Sequence, residues 1–296
     1  MFSGCITALV TPFRNGRLHV SGLRKNVRFQ LRGGVGGLLV AGSTGETASL
    51  SLGEWERAVS VVVEEAGGKV PVMVGAGTNS TAKSIRTVKK AKRLGADAVL
   101  VVAPYYVKPT QEGFYRHYRA IAENVDLPVV VYNIPGRSAA NIEPATIERL
   151  ARDCPGIVAV KEASGSLDQA SDIVVRSGKR LTLLSGDDSL TLPLLSIGAL
   201  GVISVVSNIV PQDVAEMVRA YRRGDTAKAR AIHLRLFPLI RAMFLETNPI
   251  PVKAAMEMLG MAAGEPRLPL CGPTEGSRRE LTRALRGYGL KPATTR

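Results

Sequence analysis

Eight short runs of apolar and β-branched residues punctuate the chain: CITALV (5–10), GLLVAG (37–42), VPVMVGAG (70–77), AVLVVAP (98–104), LPVVVYNIP (127–135), IVAVKEAS (157–164), LTLLSGDD (181–188) and GVISVVSN (201–208). Stretches of helical period separate them, at 21–31, 53–65, 81–94, 111–124, 144–152, 167–176 and 190–197. Near-continuous apolar runs of this length are strands buried on both faces of a parallel sheet. Eight strand–helix units predict a closed (β/α)8 barrel, an α/β fold. An open doubly wound sheet would carry a G-x-G-x-x-G loop after its first strand, and here that strand runs into TPFRNG (11–16). Ser51 ahead of an acidic turn, and the run Asn79-Ser80-Thr81, supply helix caps. After the eighth strand come only helical patterns, at 210–225, 226–246, 249–260 and 274–289. The expected division is a catalytic barrel over 1–224 and a helical C-terminal extension over 225–296.

Composition narrows the class. The 296 residues are 45% hydrophobic, enough for a large core. No apolar run reaches the ~18–20 residues of a membrane span, and the start MFSGCITALVTP reads as a first strand rather than a signal peptide. Cys5, Cys154 and Cys271 are odd in number and far apart, which predicts neither a disulfide framework nor a zinc site and points to the cytoplasm. The formal charge of +14 admits a nucleic-acid partner. However, the densest basic stretch, IRTVKKAKRLG (85–95), is spaced as the outer face of a helix and has no interleaved aromatics. A solvated basic surface is the simpler reading, and neither nucleic acid nor membrane is expected as a partner.

Barrel active sites sit at the C-terminal ends of the strands. Those ends supply Ser43, Thr44 and Glu46; Tyr105 and Tyr106; Tyr132, Asn133 and Arg137; Lys161; Ser185, Gly186, Asp187 and Asp188; and Ser204 through Asn208. None of the three histidines stands at such an end, so no metal site and no Ser-His-Asp set is indicated, and no cofactor is called for. One lysine among phenols and hydroxyls suits Schiff-base chemistry. An apolar setting penalises an ammonium cation, and the free amine attacks a carbonyl. The dehydration that follows needs a proton relay, which tyrosine and threonine can form. Strand alternation turns Val160 and Glu162 away from Lys161. Plainer readings stand beside these: Lys161 snorkelling to solvent, Tyr105 and Tyr106 packing, Arg137 in a solvated loop, and Asp187 and Asp188 capping the next helix. Small residues around Thr44 let backbone N–H groups approach a carboxylate.

The motifs GSTGE (42–46), YYVKPTQEG (105–113), VYNIPGRSA (131–139), VAVKEASG (158–165), SGDD (185–188), GVISVVSN (201–208), NPIPVK (248–253) and RLPL (267–270) together resemble the dihydrodipicolinate synthase family, within the pyruvate-dependent lysine aldolases. The resemblance runs through nearly the whole chain. It implies a lyase that condenses pyruvate with L-aspartate-4-semialdehyde on the route to diaminopimelate and lysine. By the same resemblance Lys161 forms the imine, Tyr132 donates and accepts the proton, Thr44 is the hydroxyl link, and Tyr106 enters from a neighbouring subunit. Arg137 would hold the carboxylate of the second substrate. Ser43, Thr44, Gly186 and Ile203 would contact or shape bound pyruvate. The implied assembly is a homotetramer, a dimer of tight dimers. The alternative is a sister activity on the same scaffold, a 2-keto-3-deoxy-sugar acid aldolase or an N-acetylneuraminate lyase. GRSAAN (136–141) departs from the family's usual GRTG while keeping a hydroxyl at Ser138. Lys83 stands where lysine-sensitive members carry a carboxylate, and Leu52 and Trp55 stand where some carry histidines. Feedback by L-lysine is therefore expected to be weak or absent.

Overall fold

The computed structural model describes residues 2–293. Eight parallel strands close into a barrel: β1 (Gly4–Ala8), β2 (Gly37–Val40), β3 (Val72–Gly75), β4 (Ala98–Val102), β5 (Val129–Asn133), β6 (Ile157–Glu162), β7 (Thr182–Ser185) and β8 (Gly201–Ser204). Each strand pairs with its sequence neighbour, and β1 closes the ring by pairing with both β2 and β8. All eight predicted strands are present, and the chain is a (β/α)8 barrel with helices beyond it.

The alternation of each strand divides the core in two. Ile6, Leu39, Met73, Leu100, Val130, Tyr132, Ala159, Leu184 and Ile203, at least one from every strand, fill the barrel interior. The opposite faces pack on helices α1 (Val20–Arg32), α2 (Leu52–Ala66), α3 (Thr81–Arg93), α4 (Gln111–Glu123), α5 (Pro144–Asp153), α6 (Leu167–Ser177), α7 (Thr191–Ser196) and α8 (Pro211–Arg222). The predicted caps form. Ser51 and Glu54 make a reciprocal capping box on α2, and Ser80 accepts from Lys83 N on α3. Such caps satisfy N–H groups that the helix itself leaves unbonded.

Three further helices follow: α9 (Thr226–Ala242), α10 (Ile250–Met258) and α11 (Glu275–Tyr288). α9 packs on α8 and α11. α10 is buried along almost its whole length, Lys253 included. Two local features escaped the periodicity. Phe13–Arg14 and Arg17–Leu18 form a small hairpin after β1, and Pro135–Ser138 is a single helical turn after β5. Both are too short to carry a hydrophobic period. No described helix is long and apolar enough to cross a membrane.

Candidate active site

Lys161 is 6% exposed near the C-terminal end of β6. Its Cα pairs in register with Tyr132 on β5 and Leu184 on β7. The Lys161 Nζ lies 4.1 Å from the centroid of the Tyr132 ring. Tyr132 belongs to the interior cluster, so lysine and phenol share the inner face of the barrel. The snorkelling reading therefore fails for Lys161: its amine ends against an aromatic face, inside.

Glu162 turns the other way, as alternation requires. Its Oε2 accepts from Asn133 Nδ2 at 3.0 Å and Gln169 Nε2 at 3.1 Å, and its Oε1 accepts from Ser164 N at 2.6 Å. The carboxylate nearest Lys161 in sequence is thus fully occupied on the helix side of the sheet. Gly186 explains its own identity. A Cβ there would sit 2.5 Å from Ala163 Cβ and 2.8 Å from Glu162 O. Only glycine lets the end of β7 approach β6 this closely, and Gly186 N donates to Glu162 O at 2.7 Å. Ile203 is fully buried in the interior cluster, in register with Ile6 of β1.

The turn after β2 is built on its own backbone. The N–H groups of Gly45, Glu46 and Thr47 return to carbonyls of Gly42 and Ser43, while the Ser43 and Thr44 N–H groups have no partner among the described residues. Adjacent free donors on a tight turn form a ready anion seat. Thr44 is 4% exposed, and its Oγ1 accepts from Asn248 Nδ2 at 3.0 Å. Ser43 is half-buried, and no hydrogen bond engages its hydroxyl among the described residues. Glu46 ends the turn in a left-handed conformation, φ 53°. Its carboxylate is clamped by Lys253 Nζ at 2.5 Å and by Arg267 N at 2.8 Å.

Arg137 lies on the one-turn helix after β5, exposed, with Nη2 donating to the Asn248 carbonyl at 2.9 Å. Tyr106 does not join the group. It is 87% exposed, on a loop where its own φ is 72°; Tyr105 is 40% exposed. Neither is a packing residue within this chain.

The acidic pair after β7 departs from expectation. Asp187 makes no side-chain cap on the helical turn that follows. Asp188 Oδ2 instead accepts from Val205 N at 2.9 Å and Val206 N at 3.0 Å, across on the loop after β8. Burial raises the pKa of both carboxyls. For Asp187 the charge of Lys161 opposes that rise. Capping was inferred from position along the chain, whereas the carboxyl of Asp188 is taken up by a neighbouring strand end. Sequence reasoning also missed Asn248 as a member of the site and Lys253 as the partner of Glu46, each separated from its partner by about two hundred residues.

A buried lysine against a phenol inside a parallel barrel is what an imine-forming enzyme of the lysine-dependent aldolase type needs. Comparison with known proteins narrows the class. The model of the dihydrodipicolinate synthetase family matches residues 1–287. A 4-hydroxy-tetrahydrodipicolinate synthase of Pelobacter propionicus is 49% identical, over 98% of this chain and 100% of that protein. The crystal structure of a dihydrodipicolinate synthase from Thermotoga maritima superposes with a TM-score of 0.96 at 46% identity, covering 98% of this chain and 99% of that one. A chloride-inhibited dihydrodipicolinate synthase from Acinetobacter baumannii, solved in complex with pyruvate, superposes at 0.96 with 37% identity, over 98% of this chain and 100% of that one. The chain belongs to the dihydrodipicolinate synthetase family.

Proposed function

We propose that this chain condenses pyruvate with L-aspartate-4-semialdehyde to give 4-hydroxy-tetrahydrodipicolinate, a lyase reaction in diaminopimelate and lysine biosynthesis. The observation that carries the reading is Lys161, 6% exposed, with its amine 4.1 Å above Tyr132 inside the barrel. The amine attacks C2 of pyruvate, and loss of water gives an imine. The imine then acts as the electron sink when the methyl group loses a proton, forming an enamine. The enamine carbon adds to the aldehyde. The amine of the second substrate displaces Lys161 by transimination, and the cyclic product leaves.

Tyr132, whose ring lies against the amine, is the proton donor and acceptor in this reading. The free N–H groups of Ser43 and Thr44 suit the pyruvate carboxylate, with Gly186 and Ile203 shaping the space beside it. The resemblance names Thr44 as the hydroxyl link of the relay. We assign that link to Ser43 instead, because the Thr44 hydroxyl is buried and engaged by Asn248, while the Ser43 hydroxyl is free. The exposure and left-handed backbone of Tyr106 support its delivery into a neighbouring subunit, since strain of this kind persists where function holds it. That role requires a dimer at least, and a homotetramer built from two such dimers is the assembly we propose. Three unpaired cysteines and a biosynthetic reaction fit the cytoplasm. We assign the carboxylate of the semialdehyde to Arg137, as the family resemblance implies, a contact that polyhydroxy chains do not need. Turnover with aspartate semialdehyde should therefore exceed that with 2-keto-3-deoxygluconate or N-acetylneuraminate by orders of magnitude. Equal or faster turnover of either sugar acid overturns the assignment.

A further inference from the structure

Asn248 touches two parts of the site with two different groups. Its side-chain Nδ2 donates to Thr44 Oγ1 at 3.0 Å, and its main-chain carbonyl accepts from Arg137 Nη2 at 2.9 Å. Thr44 belongs to the turn whose free N–H groups face the first carboxylate; Arg137 is the cation for the second. Asn248 itself is 7% exposed, and its Oδ1 is buried with no partner among the described residues. An unbonded buried acceptor lowers stability. An apolar residue would avoid the loss altogether, so the amide is kept for what its nitrogen does.

We infer that Asn248, contributed by the helical extension, is a positioning residue that sets the pyruvate-carboxylate turn through its side chain and the second-substrate arginine through its backbone. The inference rests on the function proposed above. It makes a split that a general loss of stability would not. Truncating the side chain removes the hold on Thr44 and leaves the carbonyl that holds Arg137. Loosening one hydrogen bond of this kind is worth about three- to tenfold in affinity. Asn248→Ala should raise the pyruvate concentration for half-maximal borohydride trapping at Lys161, and the KM for pyruvate, by about that factor. The KM for aspartate semialdehyde should stay within about twofold.

Coupling to Thr44 provides the second arm. Thr44→Val is nearly isosteric and removes the acceptor. On that background Asn248→Ala should add nothing further to the pyruvate effect, because the contact is already gone. The cycle is read on folded protein, with thermal unfolding followed in parallel. Wild-type protein that traps pyruvate, together with an Asn248→Ala variant of unchanged half-saturation, overturns the inference and leaves the function standing. Additive effects of the two substitutions, or equal rises in both KM values, also overturn it. Wild-type protein that traps no pyruvate overturns the function and the inference together. If Asn248→Ala fails to fold, Thr44→Val alone must raise the pyruvate half-saturation while sparing the semialdehyde KM; if it does not, the inference falls.

Discussion

Lys253 and Glu46 form an ion pair, Nζ to Oε1 at 2.5 Å, with side chains only 1% and 2% exposed. The ammonium also donates to Thr11 O and Glu265 O at 3.3 Å and lies 4.4 Å from the Phe13 ring. Burial lowers the pKa of Lys253, and the Glu46 carboxylate opposes that shift. Removing one member of such a pair strands a charge away from water, which costs about 3–5 kcal/mol. Unfolding entropy of roughly 2.1 cal/mol/K per residue, over 296 residues, comes to about 0.6 kcal/mol/K. Lys253→Met should therefore lower Tm by about 5–8 °C, as read by calorimetry or by circular dichroism. Pairing it with Glu46→Leu removes the stranded carboxylate and should recover part of the loss, because apolar replacement of both partners is often close to neutral. The Arg267 N–H that Glu46 also satisfies would then be left without its acceptor, so recovery should be incomplete. A Lys253→Met protein that melts within 2 °C of wild type would refute the reasoning, on the same scale of about 1.6 °C per kcal/mol. So would a double variant less stable than the single one.

Two other outcomes follow from individual groups. His117 is buried, with Nδ1 against Thr81 Oγ1 at 2.9 Å and Nε2 unbonded, and burial lowers its pKa from 6.5 to about 4. The unfolded chain binds the extra proton first, so stability is full above about pH 6.5 and is lost as pH falls toward 4, by up to about 3 kcal/mol. His117→Gln should flatten that part of the stability–pH curve, and an unchanged slope would refute the assignment. Lys83 and Leu52 line a surface groove of about 750 Å³ together with Arg86, Lys89 and Arg93. A cationic groove repels a cationic effector, so millimolar L-lysine should leave the rate nearly unchanged; inhibition below a millimolar would contradict this.

The barrel was legible because burial on both faces writes each strand as an apolar run, and the helices between them as a clean period. The inward turn of Lys161 and the outward turn of Glu162 were legible for the same reason: alternation is set locally by the pleat. What the sequence hid was tertiary. Nothing near GSTGE announces that Asn248 binds the Thr44 hydroxyl, or that Lys253 neutralises Glu46, because those partners arrive from the entrance and body of α10, after the barrel has closed. The same gap separates Ser43 from Thr44. Both are hydroxyl residues in one turn, and only the partner from α10's entrance shows which hydroxyl is spoken for. Asp188 was misread because capping is a short-range rule, and its carboxylate reaches across to the next strand end.

The central claim is that Lys161 is the imine-forming amine, and borohydride reduction in the presence of pyruvate tests it most directly. Peptide mapping of the reduced protein should find one added three-carbon acid on Lys161. The adduct should be absent without pyruvate and absent from a folded Lys161→Ala variant. An adduct on a different lysine, or none on folded wild-type protein, would contradict it.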